Sequence, residues 1–168
     1  MRLQTGRLVL NNQPVDLRTI VRDAADGAES ITQGQAIALD LPDEPLITNA
    51  DPTRLSQVLM NLFNNAIIFA PGTEQIEVQL QPAGKHAEIR VRDYGPGVPP
   101  PERERIFARF TQLEPGSSQR NHSDGLGLGL YIAREIVVAH GGTITLDVSV
   151  EPGATFVVWL PLNADQAS

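Results

Sequence analysis

Apolar residues recur along this chain at two periods, and the switches between them lay out its elements. Leu8, Val9 and Leu10 form a short apolar run that predicts a strand, followed by a turn-like Asn11-Asn12-Gln13-Pro14. Leu17, Ile20, Val21 and Ala24 or Ala25 share one helical face, predicting a helix over about 16–29. Ile37 to Leu41, bounded by Pro42, and Leu46 to Thr48 read as strands. Asp51 is placed to N-cap a helix and Pro52 to fill its first position, where a missing N–H costs nothing. Leu55, Val58, Leu59, Leu62, Ala66 and Phe69 continue that helix until Pro71-Gly72. Gln75–Leu80 and Ala87–Asp93 alternate at period two around Pro82-Ala83-Gly84-Lys85, the pattern of a half-buried hairpin. One short helix is expected within 99–110, and Thr111 to Asp124 is a polar loop without periodicity. Ile132, Ala133, Ile136, Val137 and His140 define a helix over about 129–140, stopped by Gly141-Gly142. Thr143–Val150 and Ala154–Leu160 form a second hairpin around Glu151-Pro152-Gly153. The implied class is α+β, with helices on one face of a mixed sheet.

Composition narrows this picture only a little. A chain of 168 residues, 41% hydrophobic and 20% charged, is expected to be one globular domain. No apolar run reaches the ~20 residues of a membrane span, and no signal-peptide pattern opens the chain. The absence of cysteine excludes disulfides and thiolate metal sites and fits a cytoplasmic setting. A net charge of −7 argues against nucleic acid as a partner. It also means that any bound phosphate needs local backbone N–H groups, a metal ion or placed arginines.

Four segments carry candidate chemistry. Gly125-Leu126-Gly127-Leu128-Gly129-Leu130 feeds directly into a helix, and a helix N-terminus offers free N–H groups to an anion. No Lys-Ser/Thr follows it and no strand precedes it, so it is neither a Walker loop nor a dinucleotide fingerprint, and a structural hinge is the equal alternative. Asn61, Asn64 and Asn65 share one face in mid-helix, where asparagine is a poor helix former. They are either a solvated stripe or oxygen ligands for a hard cation such as Mg²⁺. Asp93-Tyr94-Gly95-Pro96-Gly97-Val98 is either a plain turn or a buried acceptor, Asp93, beside glycines that admit a flat ring. Gly153-Ala154-Thr155 is either a turn or a hydroxyl reaching a bound base.

In chain order these segments, with Arg105-Ile106-Phe107-Ala108-Arg109-Phe110 between the second and the glycine run, resemble the N, G1, F, G2 and G3 boxes of the catalytic ATP-binding domain of sensor histidine kinases. The resemblance spans about Val15 to Leu160. It implies the two-layer α/β sandwich shared with gyrase, MutL and Hsp90, a mixed, mostly antiparallel sheet covered on one face by three helices. It implies ATP and Mg²⁺ as ligands, with Asn65 on the metal and Asn61 on the phosphate or metal shell. Asp93 would take the adenine amino group, Gly95, Gly97 and Val98 would shape the base pocket, and Phe69 would pack against adenine. Thr155 would reach the base, and Gly125, Leu126, Gly127, Leu128, Gly129 and Leu130 would close a lid over the phosphates. That lid covers about 107–126, and Arg109 is a catalytic candidate for the γ-phosphate. The domain itself is expected over 8–162, with residues 1–7 the remnant of a junction and 163–168 a tail.

Two departures from the family pattern bear on activity. Many relatives carry a lysine three residues after the metal-binding asparagine, where this chain has Ile68, with Arg109 and Arg120 as possible substitutes. The hydrolysing branches carry a glutamate as general base one turn before that asparagine, where this chain has Asn61. Transfer is therefore expected over hydrolysis. None of His86, His122 and His140 is followed by the acidic-Leu-Arg pattern of a phosphoacceptor. The acceptor histidine is expected on a separate dimerisation domain of the same parent, which would form the homodimer, with a response regulator downstream. A degenerate nucleotide- or partner-binding domain and an anti-sigma-type serine kinase are the alternatives.

Overall fold

The computed structural model describes residues 9–32, 34–70, 75–103, 105–108 and 129–162. Strand β1 (Gln13–Asp16) leads into helix α1 (Leu17–Glu29), then β2 (Ala36–Asp40), β3 (Ile47–Ala50) and α2 (Pro52–Phe69). The hairpin β4 (Gln75–Ala83) and β5 (His86–Arg92) follows, then a 3₁₀ turn at Pro100–Glu102, α3 (Gly129–Ala139), β6 (Thr143–Leu146) and β7 (Thr155–Pro161). Five strands make one sheet in the order β2-β4-β5-β7-β6, parallel only between β2 and β4. β1 and β3 form a separate antiparallel pair.

Period-two alternation decides which side of the sheet is covered. Ile76, Val78 and Leu80 on β4, Ala87, Ile89 and Val91 on β5, and Phe156, Val158 and Leu160 on β7 are all buried on one face. The helices lie on that face, with α2 packed between α1 and α3. Leu55, Val58, Leu59, Leu62, Phe63 and Ala66 line the inward side of α2, so the central helix carries much of the core. Its start is fixed as its sequence dictates: Asp51 accepts from the N–H groups of Thr53 and Arg54, with Pro52 next to it.

Three expectations are corrected. Val9 is exposed and Val9-Leu10 is not in a strand, whereas β1 forms in the segment read as a turn, pairing Pro14 with Asn49. Proline is tolerated there because, among the described residues, β1 pairs with β3 alone and its other edge is unpaired. The first hairpin runs through Pro82 and Ala83, leaving a two-residue turn at Gly84-Lys85 with Gly84 at φ 64°. β6 stops at Leu146 rather than Val150, because the Asp147 carboxylate accepts from Ser149 N–H and Oγ and bends the chain. Within 99–110 only the 3₁₀ turn forms among the described residues, extended by turn bonds from Arg105 N–H to Glu102 O and Ala108 N–H to Arg105 O.

His140 is a structural latch. Its Nδ1–H donates to Ile136 O at 2.8 Å and its Nε2 accepts from Asp51 N–H at 3.0 Å, joining the end of α3 to the cap of α2. His140→Ala leaves that N–H without its partner and is expected to cost about 1–3 kcal/mol, read as a lower chemical-denaturation midpoint with an unchanged slope.

Acid sensitivity follows from the capping carboxylates. Burial pushes Asp51 up, but donors from Asn11, Arg54 and Thr53 outweigh it and hold the group below its ordinary value. Asp16 is likewise lowered, its burial overcome by hydrogen bonds from Arg18 and Leu46. Asp147 is lowered to about 2, chiefly by the Ser149 hydroxyl, then Ser149 N–H and Arg90. A carboxylate lowered in the folded state contributes stability that is present above its unfolded pKa and lost as pH falls through the folded one. The fold is therefore expected to lose stability between about pH 4 and pH 2, and equal midpoints at pH 6 and pH 3 would contradict this assignment.

Candidate functional site

The site is built where three chain segments converge on the helix side of the sheet. Asn61, Asn65 and Phe69 follow one another at four-residue intervals along α2, so they form one stripe. Asn61 Nδ2 donates to Gly129 O at 2.9 Å, fastening mid-α2 to the first residue of α3. Asn65, one turn on, is half-buried and makes no hydrogen bond among the described residues, which leaves its amide available. This divides the asparagines: one anchors the helix that follows the glycine run, and the next is free to take a ligand.

Asp93 leaves the end of β5 toward the same side, with Val91 and away from Arg92, and is 3% exposed. Its N–H donates to Ala154 O at 2.9 Å, and its Oδ1 accepts from Gly95 N–H at 2.9 Å and Ala154 N–H at 3.2 Å. Oδ2 receives no bond among the described residues. Burial raises the Asp93 pKa, and the Gly95 and Ala154 donors with the Arg92 charge oppose it only in part. A buried carboxyl with one uncommitted oxygen is an acceptor waiting for a donor.

Glycines allow the segments to close up. A Cβ on Gly95 would lie 2.7 Å from Phe69 O and 2.8 Å from the Ala70 Cβ, so the loop after Asp93 rests on the end of α2. A Cβ on Gly153 would lie 1.8 Å from Asp93 O, which seats the β6–β7 loop on the Asp93 backbone. Val98 is buried in the core with Ile106, and Phe107 meets Phe156 edge-on at 6.0 Å. Behind these contacts, a cavity of about 350 Å³ opens between Gly95–Val98 and Leu146–Ala154. Gly95, Gly97, Gly153 and Ala154 line it, so it adjoins the Asp93 loop, while Asp93 and the asparagines do not line it.

Residues 50–164 match the family described as histidine kinase-, DNA gyrase B-, and HSP90-like ATPase. The chain belongs to this family. It is 37% identical over 171 residues to the sensor histidine kinase TmoS of Ectopseudomonas mendocina, covering 99% of this chain and 17% of that protein. It is 40% identical over 167 residues to the probable sensor histidine kinase TcrY of Mycobacterium tuberculosis, covering 98% of this chain and 34% of that protein. The chain thus spans about a third or less of the length of these curated relatives. Among solved structures, the mycobacterial sensor histidine kinase MprB superposes with a TM-score of 0.78 at 27% identity, over 90% of this chain and 99% of that one. Full-length ShkA in complex with AMPPNP gives 0.78 at 30% identity, over 92% of this chain and 32% of that one. The α/β sandwich of the described residues, a five-stranded sheet covered by three helices, is the ATP-binding domain fold of the sensor histidine kinases.

Against that family pattern, Asn61, Asn65 and Phe69 share one stripe of α2, Asn61 bonds Gly129 at the start of α3, Leu130 packs against the core, Gly95 rests on Phe69 and Ala70 beside Asp93, and Gly97 lies against Gly153. Arg109, Arg120, Gly125, Leu126, Gly127 and Leu128 lie outside the described residues, as does most of the expected lid. Thr155 lies apart from these residues. It stands opposite Arg92 in the β5–β7 ladder, and both lie on the face of the sheet away from the described helices, opposite to Asp93. Its buried hydroxyl has no hydrogen-bond partner among the described residues and fronts a groove of about 430 Å³ on that far face. What reaches Asp93 from this loop is the Ala154 backbone instead. Two supports escape sequence reasoning: Arg103, whose Nε donates to Val98 O at 2.9 Å, and Gln35, whose amide donates to Ala70 O at 3.1 Å. Both hold the loop and helix end that frame the site, and neither carries a sequence signal, since each acts on a backbone oxygen.

Proposed function

We propose that this domain binds Mg-ATP between α2, the Asp93–Gly97 loop and the start of α3, and presents the γ-phosphoryl for transfer to a histidine on a dimerisation domain of its parent protein. The observation that carries the reading is Asp93: a buried carboxylate whose Oδ1 is committed to two backbone donors and whose Oδ2 is not. The residues present fit such a ligand. Oδ2 matches the exocyclic amino group of adenine, and Gly95 and Gly153 let the loops on either side of Asp93 seat on the Phe69–Ala70 and Asp93 backbones that frame it. Asn65 offers the oxygen that a hard cation needs, one turn from Asn61.

Bound Mg²⁺ would supply charge neutralisation on the phosphates and fix them for in-line displacement. The chain's own residues do the positioning. Asn61 fastens the first residue of α3 to the middle of α2, one turn from Asn65. No carboxylate occupies the turn of α2 before Asn65, so no general base activates water there and hydrolysis is expected to be slow. Ile68 stands where many relatives carry a lysine, which leaves Arg109 and Arg120 as the candidates for the γ-phosphate. ShkA was solved with AMPPNP bound, which supports an adenine nucleotide in this fold.

Titration calorimetry with ATP and MgCl₂ tests binding, and mixing the domain with the parent's dimerisation domain and labelled ATP tests transfer. Binding without transfer would favour the second reading, a degenerate nucleotide-binding domain, which Ile68 motivates. A response regulator is the expected onward acceptor and the cytoplasm the expected compartment. Among the described residues no helix is long and apolar enough to cross a membrane.

A further inference from the structure

The face of the sheet opposite the described helices carries an arrangement that the nucleotide reading does not use. Arg92 lies between Glu77 on β4 and Thr155 on β7. Its guanidinium carbon stands 4.2 Å from the centre of the Tyr94 ring, and its Nη2 donates to Pro152 O at 3.0 Å. The Tyr94 hydroxyl in turn donates to Glu77 Oε2 at 2.8 Å, and the same oxygen accepts from Gln75 at 2.7 Å. One guanidinium thus joins the residue after Asp93 to the residue before Gly153, with Arg92 itself 60 positions from Pro152.

Arg92 makes no ion pair among the described residues, and its buried Nε has no hydrogen-bond partner among them. It is held by its ring contact and its single carbonyl bond, geometry that suits a planar fork and not a point charge. Adjacent residues of a strand point to opposite faces, so the brace sits directly behind the buried carboxylate. Movement of either loop would disturb the two bonds that Asp93 Oδ1 accepts from Gly95 and Ala154.

We propose that Arg92, with Tyr94 and Glu77, is a positioning residue for the nucleotide site, clamping the Asp93–Gly97 and Pro152–Ala154 loops from behind so that Asp93 Oδ2 stays aimed at the base. The proposal rests on the nucleotide-binding reading for its functional consequence and on the loop geometry alone for its structural one, so the two are tested separately.

Amide exchange reads the clamp without nucleotide. In Arg92→Met, which keeps the apolar stem, the Ala154 amide is expected to exchange roughly tenfold faster, a 1.4 kcal/mol loss of local protection, with Leu80 and Ile89 unchanged. ATP affinity is expected to fall by about tenfold, and the preference for ATP over GTP to narrow, which general destabilisation would not produce. Arg92→Lys restores charge without the fork and is expected to recover only part of both. Wild-type exchange at Ala154 in Arg92→Met, or wild-type affinity and base preference, overturns the clamp. Should Arg92→Met fail to fold, Tyr94→Phe carries the test, because it removes only the bond to Glu77. A several-fold faster Ala154 exchange at an unchanged melting midpoint then supports the clamp, and wild-type exchange overturns it. If the wild-type domain binds no ATP, the nucleotide reading fails while the exchange result still decides the clamp.

Discussion

Asp93→Asn is expected to weaken ATP binding by about 100-fold or more while leaving the melting midpoint unchanged or raised. The two halves of that result have one cause. Asparagine keeps an oxygen at the Oδ1 position, so the donors Gly95 N–H and Ala154 N–H retain their acceptor. What changes is the other atom, where an amide donor would now meet the amino donor of adenine. Losing a hydrogen bond to a charged acceptor costs about 1.5–3 kcal/mol, and opposing two donors adds desolvation that nothing returns. Stability moves the other way. Burial raises the Asp93 pKa, so the folded state binds that proton more readily than the unfolded chain. The ionised carboxylate is therefore a net penalty to folding above its folded pKa, relieved as pH falls through it, and asparagine removes it at neutral pH. Calorimetry and a thermal melt on the same sample check both halves. Unaltered affinity would remove Asp93 from the base site, and a large drop in midpoint would show its charge to be structural.

That trade-off explains why the site is more legible in the sequence than its supports. Asp51-Pro52 and the apolar spacing through Phe69 announce α2 locally, because cap and stripe lie on one helix. Asp93 and the glycines stand out because an acid, several glycines and a strand end together have few purely structural uses. The residues whose sequence misleads depend on partners far away in the chain. Family likeness points Thr155 at the base, yet its face is decided by pairing with Arg92, 63 positions earlier, and a slip of one residue would reverse it. Apolar content puts the first strand several residues early, because the strand character of β1 comes from β3 and not from its own side chains. Nothing in the half-buried alternation of Ala87–Asp93 singles out Arg92, since alternation alone does not distinguish an idle arginine from one that bridges two loops.

Gly153→Ala is expected to be the most damaging single-methyl addition at the described glycines that lie at the site, because two separate penalties fall on one position. Gly153 has φ 93°, a conformation that costs an L-residue about 1–2 kcal/mol. Gly84 at φ 64° shares that penalty, but nothing lies within 4 Å of a Cβ added there, so Gly84→Ala isolates the backbone cost. At Gly153 the added carbon would also lie 1.8 Å from Asp93 O, 2.7 Å from Asp93 C and 2.9 Å from Tyr94 Cα. All three are backbone atoms, so no rotamer change relieves the overlap, and the Asp93–Tyr94 segment must move. A total loss on the order of 3 kcal/mol or more is expected, against about 1 kcal/mol at Gly84. The displaced segment carries Asp93 with it, so residual folded protein should bind ATP weakly even where Gly84→Ala binds normally. Denaturation midpoints and calorimetry on the pair decide the matter. Equal midpoints for the two variants would show that the β6–β7 loop yields freely, and would leave the close seat of Gly153 on Asp93 without a role in shaping the site.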